Sequence, residues 1–243
     1  MVNARITNMN KDTEEISMIF PTTTEKLFAS LQTDSTENCK IQSIYCESVP
    51  PLSNYFEHSM TLDELQYIAV KVSTLTDDER DTLSAFLESF YSVGERTVKT
   101  VMDALENIDT YHLDKTLLSV DDVANAYIKA NRETCTPLID KMVDSTNQQE
   151  RNLASYVANL EQYIDKAAYV KDITEQNDLY ITSKGFLAVC WSEFFWRDDR
   201  QVPDEYRLTS TAKPSILRKL EELKANISPA NPTEKSHRND PSI

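Results

Sequence analysis

The feature that most constrains this chain is a helical hydrophobic period that begins near Tyr55 and recurs for more than a hundred residues. Leu62, Leu65, Ile68, Ala69, Val72 and Leu75 follow one another at steps of three and four behind an N-cap candidate at Thr61, which predicts an amphipathic helix with one buried face. The next segment, TLTDDERDTLSAFLESF, repeats the pattern. Thr76 and Glu79 form a capping box there, and Asp77 and Asp78 stand in a first turn, where the helix dipole favours anions. At about 100° per residue from Asp77, Asp81 falls near 40° and Glu88 near 20°, while Leu83, Phe86, Leu87 and Phe90 spread over about 180° to 280°. The acids therefore form a stripe opposite the core face.

A third helix is predicted after Gly94, with Val98, Val101, Met102, Leu105 and Ile108 inward and Glu95, Glu106 and Asp109 in a second stripe beside Asp103. A fourth starts at Ser119 and buries Val123, Ala124, Tyr127 and Ile128. From Pro137 to about Val170 the pattern is again helical, with a polar break at DSTNQQERN. Its second half places Leu153, Tyr156, Val157, Leu160, Tyr163, Ile164 and Ala167 at heptad-like spacing, which we read as a core face, with a helix-pairing seam as the alternative.

Strands frame these helices. EEISMIFP and IQSIYCES read as strands around the short helix TTTEKLFASLQ, a small βαβ-like opening behind a polar start. LYITSKGFLAVCW reads as a hairpin turning at Ser183, Lys184 and Gly185, and KPSILRKLEELKAN as a last amphipathic helix before a polar, Pro-containing tail expected to be disordered. The expected fold class is α+β and elongated. It comprises an α/β subdomain at 14–55, an acidic helical subdomain at 56–135, a helix-plus-hairpin subdomain at 136–227 and the tail at 228–243.

Charge narrows the function classes. With 25 Lys and Arg against 40 Asp and Glu, the chain carries a formal charge of −15. Direct binding of nucleic acid or an anionic membrane needs the opposite sign, whereas a basic protein partner is favoured. Residues 57–122 hold fifteen acids and five bases, and residues 196–243 eight acids and nine bases. First-turn positions account for Asp63, Glu64, Asp77, Asp78, Glu79, Asp121 and Asp122 through helix stability alone; Asp81, Glu88, Glu95, Asp103, Glu106 and Asp109 are among those left over.

The sequence carries no nucleophile elbow, zincin motif or Walker loop. Only Gly94 and Gly185 are glycines, too few for a phosphate loop. His58, His112 and His237 are isolated, and Cys39, Cys46, Cys135 and Cys190 lack metal-ligand spacing and read as reduced thiols. We therefore expect no catalytic residues, no metal and no cofactor. No apolar run reaches the ~18 residues of a membrane span, and MVNARITNMNKDTEE lacks a signal-peptide core, so a soluble, cytoplasmic protein is expected. WSEFFW brings Trp191, Phe194, Phe195 and Trp196 together; packing is the first reading, and the lining of an enzyme pocket the rival one.

DELQYIAVKVSTLTDDERDTLSAFLES, followed by a helix and ENIDTYHL and then by SVDDVANAYI, resembles the ArdA-type antirestriction proteins of conjugative plasmids and transposons. The divergent forms from Gram-positive gut bacteria are the most similar. ISMIFPTTTEKLFASLQ is similar to their first strand and helix, so that the likeness covers about residues 14–131, and ITSKGFLAVCW loosely resembles a downstream T-x-x-G segment. The resemblance implies an acidic dimer that imitates bent B-DNA and fills the DNA cleft of type I restriction-modification enzymes, without catalysis.

Duplex DNA shows one charge per ~1.7 Å of axis, whereas acids four apart on a helix recur every ~6 Å. Two or three aligned stripes are therefore needed. The expected partner-binding acids are Asp77, Asp81, Glu88, Glu95, Asp103, Glu106 and Asp109. The expected dimer contact is the Trp191, Phe194, Phe195, Trp196 cluster, with the seam at Leu153, Tyr156, Leu160 and Tyr163 as the alternative. The other function reading is a non-catalytic regulatory protein of a mobile element that targets another DNA-binding defence protein.

Overall fold

A computed structural model describes residues 1–10, 15–33, 35–90 and 95–208, which all lie in one compact unit, Met1–Thr209. The predicted KPSILRKLEELKAN helix and the polar tail lie outside the described residues, as do the side chains of Val157 and Leu160 in the heptad-like row. The fold is α+β, with two small antiparallel sheets.

The stretch read as a polar start is a strand. Val2, Ala4, Ile6 and Asn8 alternate with outward residues and are buried, forming β1 (Val2–Asn8). It is the middle strand of the first sheet, between β2 (Ile16–Phe20) and β3 (Cys39–Cys46), both antiparallel to it. The two outer strands therefore run parallel to each other, joined by α1 (Thr24–Leu31), so the opening is a βαβ unit split by an inserted strand. A register shift after Arg5, paired with Ser43 while Ile6 pairs with Ile41, makes Gln42 the extra residue of a bulge. Met18, Phe20, Leu27, Leu31, Ile41 and Ile44 close over the inner face. The buried Asn8 amide donates to the carbonyl of Leu31 at 3.0 Å and satisfies the end of α1.

The central helices follow their sequence signals. Thr61 and Glu64 cap α2 (Leu62–Thr74) reciprocally, and Thr76 and Glu79 do the same for α3 (Asp77–Phe90). Thr97 caps α4 (Val98–Glu106), which is shorter than the predicted third helix. Glu95 precedes the cap and Asp109 lies in a following 3-10 turn, Ile108–Thr110, so the predicted stripe of Glu95, Glu106 and Asp109 does not exist on one helix.

The second sheet combines distant segments. β4 (Tyr111–Asp114) pairs with β6 (Gly185–Val189), which pairs in turn with β5 (Leu179–Thr182). Between β4 and β5 run α5 (Val120–Val143), α6 (Gln148–Asn159) and α7 (Lys166–Asn177). Pro137, expected to open a helix, lies inside α5. Its missing N–H frees a carbonyl one turn back, at Glu133, in a stretch exposed to water, which lowers the cost of the lost bond. The polar break falls where expected, between α5 and α6. Of the heptad-like row, Leu153 is exposed and Tyr156 and Tyr163 are 75% and 77% exposed, so these three do not form the expected core face; among the described residues of α6 the fully buried one is Ala154.

One apolar core joins the first sheet to α2, α3 and α4 and extends to Val189, Phe194, Val202 and Leu208. A smaller cluster of Val123, Ala124, Val170 and Phe186 attaches α5 and α7 to the second sheet.

Candidate acidic interaction surface

The stripe on α3 is the seam on which the hairpin of the second sheet is held. Gly185, at φ +144°, follows the turn, and a Cβ there would stand 2.4 Å from the Asp114 carbonyl oxygen, so only glycine lets the turn approach β4 this closely. The turn then lies against α3. Glu88 accepts from the Ser183 backbone N–H at 2.9 Å and from its hydroxyl at 2.6 Å. Lys184 Nζ lies 2.9 Å from Asp81, and Lys115 Nζ lies 2.6 Å from Asp81 and 2.7 Å from Asp78. Hydrogen bonds donated by Lys115 and Lys184 hold the Asp81 carboxyl below its usual range, and the bonds that Lys115 donates to Asp78 and Asp81 raise the Lys115 pKa. Asp81 and Glu88 are half-buried, not free surface positions.

A second set of acids binds the irregular segment 191–208, which is held to residues of α2 and α4. Asp103 was expected on the surface; its side chain is 2% exposed, paired to Lys99 at 2.8 Å and accepting from the Arg197 backbone N–H at 3.0 Å. Glu106 takes the Tyr67 hydroxyl, with Lys71 at 3.4 Å and Arg197 at 3.5 Å. Burial raises the Glu106 pKa, but the Tyr67 hydrogen bond and the two cations outweigh it and leave the carboxyl below its ordinary value. Burial also pushes the Tyr67 hydroxyl far up, reinforced by the hydrogen bond to Glu106.

Arg200 binds Glu64 in a fork, Nε at 2.6 Å and Nη2 at 2.9 Å, and reaches Glu57 at 3.1 Å. Glu57 in turn accepts from the Val98 N–H at 2.7 Å, adding to the start of α4. Asn107 pairs with the Phe195 backbone in both directions, and Leu208 donates to Asp63 at 2.8 Å. These contacts span 41 to 145 residues of sequence, so no local pattern announces them. Lys99 and Asp103 were the exception, since their i,i+4 spacing is legible on a helix.

The aromatic group divides. Phe194 is buried against Phe86 and Tyr111, and Trp191 leans on Phe86 and Phe90. Trp196 stacks on Trp191 at 5.9 Å with rings 2° from parallel, under the Lys99 ammonium at 5.7 Å. Phe195 and Trp196 are exposed. The packing reading is met by Phe194 and Trp191 within the core that α3 and α4 share.

Acids that remain open to solvent cluster at helix starts. The Asp77 and Asp78 side chains are 97% and 90% exposed, and Glu95, Asp109, Asp121 and Asp122 are exposed as well. A shallow depression of about 440 Å³, lined by Asp78, Thr82, His112, Leu113, Asp114 and Lys115, joins the start of α3 to the approach to α5. Among the described residues no group of three or more His, Cys, Asp or Glu is arranged to hold a metal, and no helix is long and apolar enough to cross a membrane. The chain matches no protein-family model and no curated protein.

Proposed function

We propose that this chain is a non-catalytic acidic inhibitor of the ArdA antirestriction kind, which acts in the cytoplasm by offering carboxylates to the basic DNA cleft of a type I restriction-modification enzyme and so protects incoming mobile DNA. The observation that carries the proposal is the set of exposed carboxylates at the starts of α3 and α5 and in the turns flanking α4: Asp77, Asp78, Glu95, Asp109, Asp121 and Asp122. They sit on a chain of formal charge −15 whose central sequence resembles that family. Acids on a rigid helix start bind a cationic cleft without an ordering cost, and they compete with DNA because both ligands offer negative charge to the same lysines and arginines.

Asp81, Glu88, Asp103 and Glu106 have a different role in this proposal. They hold the hairpin and the 191–208 segment in place, and so set the geometry of the exposed acids. The test is a restriction-protection assay with purified type I enzyme, followed by titration of DNA against the inhibited complex. Inhibition that DNA reverses and that weakens as salt rises is expected. Inhibition indifferent to excess DNA removes the mimic.

One observation favours a second reading, in which the same acidic surface serves a different DNA-binding defence protein. Lys71, Lys99 and Lys115 are interleaved with the acids and pair with Glu106, Asp103, Asp78 and Asp81, which interrupts a phosphate-like run. Protection absent against type I enzymes, with retained binding to another basic DNA-cleft protein, selects that reading.

A further inference from the structure

β4 is an edge strand, paired with β6 on one side and with no strand on the other among the described residues. Just before it the Cys190 N–H donates to the Thr110 carbonyl at 3.1 Å, which fixes the pairing that follows. His112 and Asp114 turn their backbone groups toward β6, and Tyr111 and Leu113 turn theirs outward. Among the described residues the Leu113 N–H and C=O meet no partner. Folded proteins commonly cover such edges, and the first sheet shows one way: just beyond β2, the Gln66 side-chain amide bonds both the N–H and the C=O of Thr22, each at 2.9 Å. At β4 the depression of about 440 Å³ opens instead, lined by all four residues 112–115 and by Asp78 and Thr82 of α3.

Charge selects what fits there. Residues 76–82 and 109–122, which carry the start of α3, β4 and the approach to α5, hold eight acids and two bases. Side chains alternate along β4, so Leu113 packs against the core that α3 shares and Asp114 stands on the opposite face. A strand laid along this edge therefore has a carboxylate on each side, the exposed Asp78 toward α3 and Asp114 away from it. Lys115, at 2.7 Å from Asp78 and 2.6 Å from Asp81, leaves the surplus negative. A second copy of this chain would bring like charge to the edge and is repelled, whereas a basic segment is attracted. We propose that the free edge of β4 takes up an extended, Arg- or Lys-bearing segment of a partner protein as an added strand, with backbone hydrogen bonds to Leu113 and cations set beside Asp78 and Asp114. This pairing is independent of which enzyme's cleft the exposed acids fill.

Titration of the full chain with the capped hexapeptide Val-Arg-Val-Arg-Val-Arg tests it, with amide exchange of the protein as the readout. In the free chain the Leu113 N–H is expected to exchange readily, while those of His112 and Asp114 are protected by β6. Saturating peptide is expected to slow exchange at Leu113 at least ~10-fold and to leave the other two nearly unchanged. Asp78→Asn with Asp114→Asn is expected to weaken the peptide about 5-fold. Asn at position 114 keeps an oxygen for the two bonds from Thr116, so the loop after β4 is retained. The same peptide N-methylated at every amide keeps its charge but cannot donate, and is expected to give no protection; Val-Glu-Val-Glu-Val-Glu is expected not to bind. Peptide that binds without protecting Leu113, no binding at millimolar concentration, or a Leu113 N–H already as protected as that of His112 in the free chain overturns the proposal.

Discussion

Asp77 at the start of α3 and Asp103 inside α4 are both aspartates of the acidic central helices, yet their side chains are 97% and 2% exposed. Asp77 is placed by helix physics: a first-turn acid stabilised by the dipole, with Arg80 at 2.9 Å and water around it. Asp103 is placed by tertiary structure, since its carboxylate is committed to Lys99 and to the backbone of Arg197, 94 residues downstream. The comparison separates acids that leave a surface free for a partner from acids that organise the chain itself. Neutralising the first group should change binding and spare the fold, and disturbing the second should do the reverse.

The sharpest way to break this division is Arg200→Ala. Glu64 is nearly buried and Glu57 partly so, and the change leaves both without their cation. We expect a loss of about 3 kcal/mol, read by urea denaturation, since an uncompensated buried carboxylate costs more than the pair contributes. A loss within 0.5 kcal/mol would mean that the 191–208 segment is held by its apolar contacts alone.

Gly185→Ala comes next. The positive φ and the 2.4 Å approach to the Asp114 carbonyl leave no room for a methyl group, and a cost of about 2 kcal/mol is expected, with loss of the Ser183 and Lys184 contacts to α3. Amide exchange at Ser183, whose N–H is held by Glu88, reports that loss directly. Thr76→Ala removes one half of the α3 capping box and is expected to cost about 1 kcal/mol in thermal or urea unfolding.

Acid titration sharpens the role of Asp81. Its folded-state pKa is depressed below the ordinary 3.8 by Lys115 and Lys184, so its contribution is complete above that ordinary value and is lost as pH falls through the lower, folded one. Urea midpoints measured from neutral pH down to acid should show the parent losing its advantage over Asp81→Asn only below about pH 4. An advantage already lost near neutral pH would assign it to another group. The smallest stability effect belongs to Asp77→Asn with Asp78→Asn, expected within about 0.5 kcal/mol of the parent. The same pair should weaken competition with DNA for the basic partner. Unchanged competition would move the contact away from the α3 start.

Much of the architecture was legible in residue patterns. Thr61 as an N-cap, and Thr76 with Glu79 as a capping box, marked two helix starts because capping is a contact over a few residues. Ser183, Lys184 and Gly185 marked the hairpin because its turn needs a backbone that glycine permits. β1 was present as the alternation Val2, Ala4, Ile6, but Asn8 and Arg5 gave it a polar look, and the buried Asn8 has its partner on α1. β4 was too short to stand out in four residues and exists through its pairing with β6, some seventy residues later. The row Leu153, Tyr156, Tyr163 had the spacing of a core face and stands in water, because spacing states which residues share a face and not what lies opposite it.

The sequence by itself determined the α+β class, the helix starts, the turn at Gly185 and the excess of negative charge, since propensity, capping and net charge are local or additive quantities. Only the tertiary structure decided which carboxylates are spent inside the molecule. Arg197, Arg200 and Lys115 reach their partners across 34 to 143 residues, and such pairing depends on where the core brings the backbone, which no window of the chain contains.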